Sequence, residues 1–464
     1  MASITSAGIG SGLDIGGLVR QLVAAEGQPA EERIARQEAR TQAKLSAFGK
    51  LKSALAGFRD KLSAMTDPAA FLARTARSAN EDILDVSAGA SAVPAVYAVE
   101  VRALAAAQKL RTDAFADPGA AVGTGTLGIE LGAQGFTVDI DDGNNTLAGI
   151  RDAINEALDN PGVTASIVNA EGGSYLILGA AETGASRTLR ITQSGGDGGL
   201  AALEWDPDGG AAALTELVAA SDATLRVDGL EVTSESNTVA GAIEGVTMSL
   251  LEAAPGEVFD LRIENDEAAV RQTIGDLVES WNGLMRTIDE LTAFDPESNT
   301  AAALQGDATV RGIREQIRRE LSSAVRAVDL PFGTLSEIGV HTELDGRLSI
   351  DDAALADVLA ADFTRLGQLF ANAEDGIATR LHGIVDGILD ASGAIETRSA
   401  GLSQRMEEYG DARAMLSRRL EALETRLLRQ FNALDALVAQ LSATSNFLAE
   451  QLANLPQIPG PGRK

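Results

Sequence analysis

The sequence predicts an α+β multidomain protein. Its N- and C-terminal helices pair into a coiled-coil-like leg and a helical bundle domain, with β-rich domains inserted between them. Three observations carry this reading. Apolar residues repeat in heptad rows at both chain ends, alternating runs and glycine turns fill about residues 78–265, and three-and-four spacing returns from about 267.

At the N-terminus, Gly8 to Asp14 is turn-like, and Asp14 is a candidate N-cap for a short amphipathic piece carrying Ile15, Leu18, Val19, Leu22 and Val23. A second helical stretch holds Ile34, Leu45, Phe48, Leu51, Leu55, Phe58, Leu62 and Met65. It should stop near Asp67-Pro68, because proline disfavours helical geometry in the residue before it.

The middle of the chain differs in kind. Residues 96–102, 136–140, 163–168, 175–178, 188–192, 224–227 and 246–251 read as strands. Asp142-Gly143, Gly172-Gly173, Gly195-Gly196 and Asp228-Gly229 read as the turns between them. One helix stands out over 147–158, with Leu147, Ile150, Ile154 and Leu158 on one face.

Helices then return. Val270 to Leu291 forms an amphipathic face, another helix covers about 307–327, and Leu335 to Ile350 reads as two short strands around Asp345-Gly346. Asp351 opens a further helix with Leu355, Val358 and Leu359 inward. At the C-terminus Leu420, Leu427, Leu434, Leu441, Leu448 and Leu455 repeat every seven residues, with Leu402, Leu416, Leu423 and Leu452 between or before them. The successive four-residue steps Leu423–Leu427–Phe431 mark a stutter. A helix from 402 to 455 would be roughly 80 Å long at 1.5 Å per residue, too long to fold back inside a compact domain. Its seam needs another helix, from the N-terminal segment or from a neighbouring subunit; a closed intrachain bundle is the competing reading.

Composition narrows the function. At about 150 residues per domain, 464 residues suggest roughly three domains. A formal net charge of −29 disfavours nucleic acid and anionic membranes, since no basic surplus exists to neutralise phosphates. No apolar run reaches the ~18 residues of a membrane span, and Met1 to Gly8 lacks the basic and apolar regions of a cleaved signal peptide. With no cysteine, thiolate metal sites and thiol nucleophiles are excluded. The two histidines, His341 and His382, lack metal-ligand spacing, and no GxSxG elbow occurs. Gly8, Gly10 and Gly12 lack the strand and lysine of a phosphate loop. The acidic-glycine stretches 139–143, 195–199 and 206–210 fit turns better than Ca²⁺ loops. No catalytic residue, cofactor site or metal site is expected.

Several stretches, taken together and in order, resemble the flagellar filament-cap family, also called flagellar hook-associated protein 2. They are Ile9 to Glu26, Leu45 to Leu55, Tyr97 to Gln108, Leu147 to Ala165 (an "IN"-like motif), Asp345 to Asp351, Leu366 to Phe370 and Asn446 to Leu452. Residues of about 110–146 and 193–220, rich in glycine and alanine, depart from the family pattern.

The resemblance implies a fold and a role. Residues 1–42 with 408–464 would form the leg, and 43–77 with 266–407 the helical bundle. Residues 78–110 with 221–265 would form an inner β domain, and 111–220 an outer one. It implies export by the flagellar type III apparatus and a homo-oligomeric ring, most often a pentamer, at the distal filament tip. There the ring would help exported flagellin fold and insert and prevent its loss, while an export chaperone holds the C-terminal helix before secretion. The leg residues expected to bind partners are Leu13, Ile15, Leu18, Leu22, Leu420, Leu427, Leu434, Leu441, Leu448, Leu452 and Leu455. Another flagellar axial or junction protein, or an adhesin acting through the outer β domain, are the alternatives.

Overall fold

The computed structural model describes residues 14–326 and 331–453. The first element, α1 (Ile15–Ala64), is one 50-residue helix where the sequence suggested two pieces. Asp14 caps it as expected, its Oδ1 accepting the Gly17 amide at 2.8 Å. The helix runs through Pro29, which normally breaks or kinks one at about 3 kcal/mol. Burial on both sides of the proline, of Ile15 and Val19 before it and Ile34 after it, opposes that cost. The helix stops before Asp67-Pro68, where Asp67 caps a short 3-10 turn.

The β region contains two separate cores. The first lies between a five-stranded and a three-stranded antiparallel sheet. Its strands are β1 (Arg74–Ser78), β2 (Leu84–Ala88) and β3 (Ala95–Ala103) before the second core, with five more after it. The second core is built from β4 (Lys109–Arg111), β5 (Gly125–Leu131), β6 (Gln134–Ile140), α2 (Leu147–Glu156), β7 (Val163–Ala170), β8 (Gly173–Ala180), β9 (Leu189–Ser194) and β10 (Thr215–Val218). The chain then returns to the first core with β11 (Ala223–Val227), β12 (Leu230–Ser234), β13 (Thr238–Ala240), β14 (Val246–Leu250) and β15 (Phe259–Asn265). Sheet orders are β1-β15-β3-β11-β12 and β13-β14-β2 around the first core, and β10-β4-β8-β7 and β6-β5-β9 around the second. Val99, Val101, Leu225, Met248 and Leu261 fill the first. Leu127, Ile129, Ile150, Leu176 and Ile191 fill the second.

Local chemistry explains the turns. Asp228 and Gly229 both have positive φ (48° and 82°), the mirror-image turn that joins β11 to β12. α2 starts where the Thr146 hydroxyl accepts the Gly149 amide. It ends sooner than the 147–158 pattern suggested, and Leu158 is fully exposed. The Asn160 amide donates to the carbonyls of Ile154 and Val163, ending the helix just ahead of Pro161.

Two chain crossings and a brace join the β cores. At the crossings Ala106 and Ser221 exchange backbone hydrogen bonds. The Asn237 side chain pairs with both the N–H and the C=O of Ala105, as a strand would. Gln108, 2% exposed, accepts from the Leu189 amide and donates to Glu216. The brace is the loop after β8. Thr183 donates to the Glu235 carbonyl, Ser186 to the Glu235 carboxylate, and the Ala185 amide to Asp222.

The helical part resumes with α3 (Glu267–Thr292) and α4 (Ala308–Ser322). A hairpin of Val340–Thr342 and Leu348–Ile350 follows, as expected. Next come α5 (Asp352–Ala371), capped by Asp351, then α6 (Ile377–Leu389) and α7 (Ala394–Ala453). Leu355 and Leu359 are buried, whereas Val358 is half-buried. Trp281 is fully buried, edge-on to Phe58 at 5.9 Å, and its Nε1–H donates to the Gly346 carbonyl at 3.0 Å. Asn282 brackets Leu348 by accepting its amide and donating to its carbonyl. Arg380 on α6 donates to the carbonyls of Glu320 and Ser323, satisfying the open C-terminal end of α4.

Chain contacts divide the molecule into two compact units. One holds the described residues of 1–66, 275–355 and 368–464, and the other 67–274 with 356–367. The first unit contains the paired chain ends and the second contains both β cores.

Candidate interface on the helical leg

The two ends of the chain form an antiparallel hairpin. Lys52 pairs with Glu396 at 2.8 Å, Glu38 with Arg413 at 2.5 Å, and Gly27 lies against Leu420. These contacts advance in opposite directions along α1 and α7. The face of α1 turned inward is a stripe of Ile15, Val19, Gly27, Ile34, Thr41 and Phe48, spaced mostly by fours and sevens. Gly27 marks a close approach: a Cβ there would lie 2.6 Å from the Leu420 Cδ1, so a larger residue makes the Leu420 side chain move. Leu420 sits as a knob over the space beside Gly27.

Burial falls steadily along α7. Ile395 and Leu402 are buried, Leu420, Leu423 and Leu427 are half-buried, and Leu434, Leu441, Leu448 and Leu452 are 55%, 61%, 55% and 67% exposed. The cause is register. Continued at about 1.5 Å per residue on both helices, the antiparallel pairing places Ile15 opposite the Phe431–Leu434 turn. From there to Ala453 no described part of α1 accompanies α7. The exposed stripe is about 27 Å long, and Asp435 and Glu450 are its only charged residues between Leu434 and Leu452.

The expected leg residues thus separate into groups. Ile15 is 3% exposed and works inside the hairpin. Leu18 and Leu22 lie on the outer side of α1 at 40% and 47% exposure, with Leu22 flanking a groove shared with Leu423 and Leu427. Leu420 and Leu427 are partly covered by the hairpin, and the four distal leucines are open. Leu13 and Leu455 lie outside the described residues. Sequence reading missed Leu437 and Phe447, 54% and 59% exposed, which do not fall on the heptad row. Leu437 still widens the open face, because it lies three residues from Leu434 and four from Leu441.

The acidic-glycine loops have internal partners. Asp141 and Asp197 accept turn amides from Gly143 and Gly199, and Asp197 also accepts the Thr124 amide. The Gly199 and Thr124 amides hold the Asp197 carboxyl below the usual carboxylate range. Asp206 and Asp208 pair with Arg190. Among the described residues no group of three or more acidic or histidine side chains could hold a metal ion, and no helix is long and apolar enough to cross a membrane.

A leg built from both chain ends, carrying an open leucine stripe and β modules inserted between its halves, defines a structural protein that assembles with other chains. Residues 11–108 match the family model described as flagellar hook-associated protein 2 N-terminus, and 220–443 match its C-terminus. Residues 126–179 match the flagellin hook IN motif. The chain is 34% identical to the B-type flagellar hook-associated protein 2 of Pseudomonas aeruginosa, over all of both chains. It is 32% identical to flagellar hook-associated protein 2 of Escherichia coli, covering 98% of this chain and 99% of that one. The crystal structure of the D1-D2-D3 domains of the Escherichia coli flagellar cap protein FliD superposes with a TM-score of 0.70 at 30% identity, covering 77% of this chain and 99% of that one. The chain belongs to the flagellar hook-associated protein 2 family, the flagellar cap proteins.

Proposed function

We propose that the chain assembles as a ring at the distal tip of the flagellar filament, where it promotes folding and insertion of exported flagellin and prevents its loss to the medium. The ring is a pentamer, and an export chaperone holds α7 before secretion. The leg, 1–42 with 408–464, docks among filament subunits through Leu13, Ile15, Leu18, Leu22, Leu420, Leu427, Leu434, Leu441, Leu448, Leu452 and Leu455, with Ile15 acting by shaping the hairpin. The helical bundle, 43–77 with 266–407, connects the leg to the inner β domain (78–110 with 221–265) and the outer one (111–220).

The observation that carries this reading is the open stripe of Leu434, Leu441, Leu448 and Leu452 on a regular helix. A free surface gains nothing from such a row, but a partner that covers it does. Full burial of one leucine is worth about 1.5–3 kcal/mol. About half of that is still available at each position, so the four together offer roughly 3–6 kcal/mol on docking. This corresponds to about two to four orders of magnitude in the docking constant.

The test replaces all four leucines with glutamine, which keeps leucine's helix propensity. Helix content and thermal unfolding of the free chain should change little, because the four positions lie at or beyond the end of the stretch that α1 covers. Cells should shed monomeric flagellin into the medium and carry short filaments. Normal filament growth by the variant would overturn the assignment.

A further inference from the structure

The leg hairpin has two grooves of opposite charge, one on each side of the Leu416–Leu420 seam. One is floored by Leu22, Leu423 and Leu427, and its charged rim is Arg419, Arg426 and Arg429 against Glu26 alone. The other is lined by Val23 and Leu420, and its rim carries Glu31, Glu32, Glu421 and Glu424 against Arg413. Arg413 is engaged by Glu38 and Glu32 by Arg36, and Arg20 stands in the adjoining recess with Glu31 and Glu424, so the acidic surplus of this rim rests on Glu31, Glu421 and Glu424. The helical period explains the sorting. From Leu420, residues 421 and 424 turn to one side of the seam, whereas 419, 423 and 426 turn to the other.

We propose that, in the ring before it meets a filament, neighbouring copies pair their legs side by side, the arginine groove of one against the glutamate groove of the next. This inference rests on the ring-forming reading above and adds a contact to it. The occupant is a second copy of this chain, because both complementary surfaces are present on one molecule. The contact is heterologous, one patch against a different patch, and such contacts close into rings when the rotation between copies allows. Cyclic symmetry requires both patches at the same height along the leg. They meet that condition: Arg419 and Arg426 bracket Glu421 and Glu424 on the same stretch of α7. Each groove also has an apolar floor, so the pairing covers Leu22, Leu423 and Leu427 while the charges set which groove meets which. A filament subunit that binds the leg more strongly displaces the neighbouring leg.

The test uses the full-length chain and two charge reversals on the groove rims. Variant one carries Arg419→Glu, Arg426→Glu and Arg429→Glu, making both grooves acidic. Variant two carries Glu31→Arg, Glu421→Arg and Glu424→Arg, making both basic. Exposed pairs are each weak, but three attractions turned into repulsions should lower the association constant about tenfold or more. Each variant alone should therefore shift toward monomer in mass photometry, with helix content unchanged. A single chain carrying all six changes should reassemble, since its two grooves are again opposite in charge. An equal mixture, whose copies must alternate, cannot close a five-membered ring and should gain dimers and open chains over either variant alone; wild-type assembly should weaken with added salt. The proposal is overturned if either variant assembles like wild type, or if the folded six-change chain stays monomeric. Flagellin leakage with unaltered ring assembly would assign the grooves to filament contact instead, ending this proposal while leaving the capping reading intact.

Discussion

Replacing Asp307 with asparagine and with alanine separates two roles of its carboxylate at the root of the leg. Asp307 caps α4, its Oδ1 accepting the Thr309 amide at 2.9 Å, and its Oδ2 pairs with the Arg398 guanidinium at 3.1 Å in the opening turns of α7. Its side chain is 6% exposed and that of Arg398 is 39% exposed. Asparagine keeps an acceptor for the cap, so Asp307→Asn should lose mainly the charged pair, about 1–2 kcal/mol given the half-open arginine. Asp307→Ala also removes the cap, worth about another 1 kcal/mol. Burial pushes the Asp307 pKa up, but the Thr309 amide and Arg398 outweigh it and hold the carboxyl below its ordinary value. The folded pKa therefore lies below the unfolded one. The stabilisation is complete above the unfolded value of about 3.9 and is lost as pH falls through the lower folded value. Urea unfolding followed by far-ultraviolet circular dichroism should rank wild type above Asn and Asn above Ala at pH 7. The gap between wild type and Asn should close on acidification below about pH 4. Equal losses for Asn and Ala, or a gap indifferent to pH, would refute the two-role account.

Three further substitutions probe the leg, the β joint and the bundle. Gly27→Leu drives a side chain into Leu420, costing about 1–3 kcal/mol, and amides of Val19 to Gln28 should exchange faster; unchanged exchange would show that the helices do not meet there. Gly184→Val puts a branched residue at φ +121°, with its Cβ 3.0 Å from the Glu235 Cβ, and should release the brace between the two β cores. Because the chain has no cysteine, spin labels on Val96→Cys and Val168→Cys report that joint alone, and a distance distribution as narrow as wild type would contradict the brace. Trp281→Phe strands the Gly346 carbonyl and opens a cavity beside Phe58, which should destabilise the bundle by about 2–4 kcal/mol; a loss under 1 kcal/mol would show that the Nε1–H bond contributes little.

What the sequence disclosed follows from how strongly each pattern is driven by burial. The heptad rows of α1 and α7, the cap at Asp14 and the turn at Asp228-Gly229 were legible because period and turn chemistry act locally. β1 (RTARS) and β10 (TELV) were not, because polar or exposed side chains give no alternation. They are strands because neighbours pair with them. β5 hides its alternating Leu127, Ile129 and Leu131 among glycines, whereas β15 alternates Phe259, Leu261 and Ile263 as cleanly as any strand of the β region. α1 appeared as two helices because its middle, around Gly27 and Pro29, has weak helical signals; a partner 393 residues away in sequence supplies the reason for both continuity and the glycine.

The leucine row of α7 shows why a heptad pattern specifies stickiness but not its target. Leu420 and Leu434 are two heptads apart on the same row, yet one fills the space beside Gly27 and the other is 55% exposed. Their side chains are identical, so the difference lies in the register of α1, which starts at Ile15 and accompanies α7 only to about Phe431. Lengthening the paired part would raise the stability of the lone chain and shorten the stripe left for a partner. The stripe ends in a long helix with two acids, which keeps the segment regular while leaving its apolar face open. Stability of the free molecule and grip on a partner therefore draw on one row of side chains, and the point where α1 ceases to cover α7 divides them.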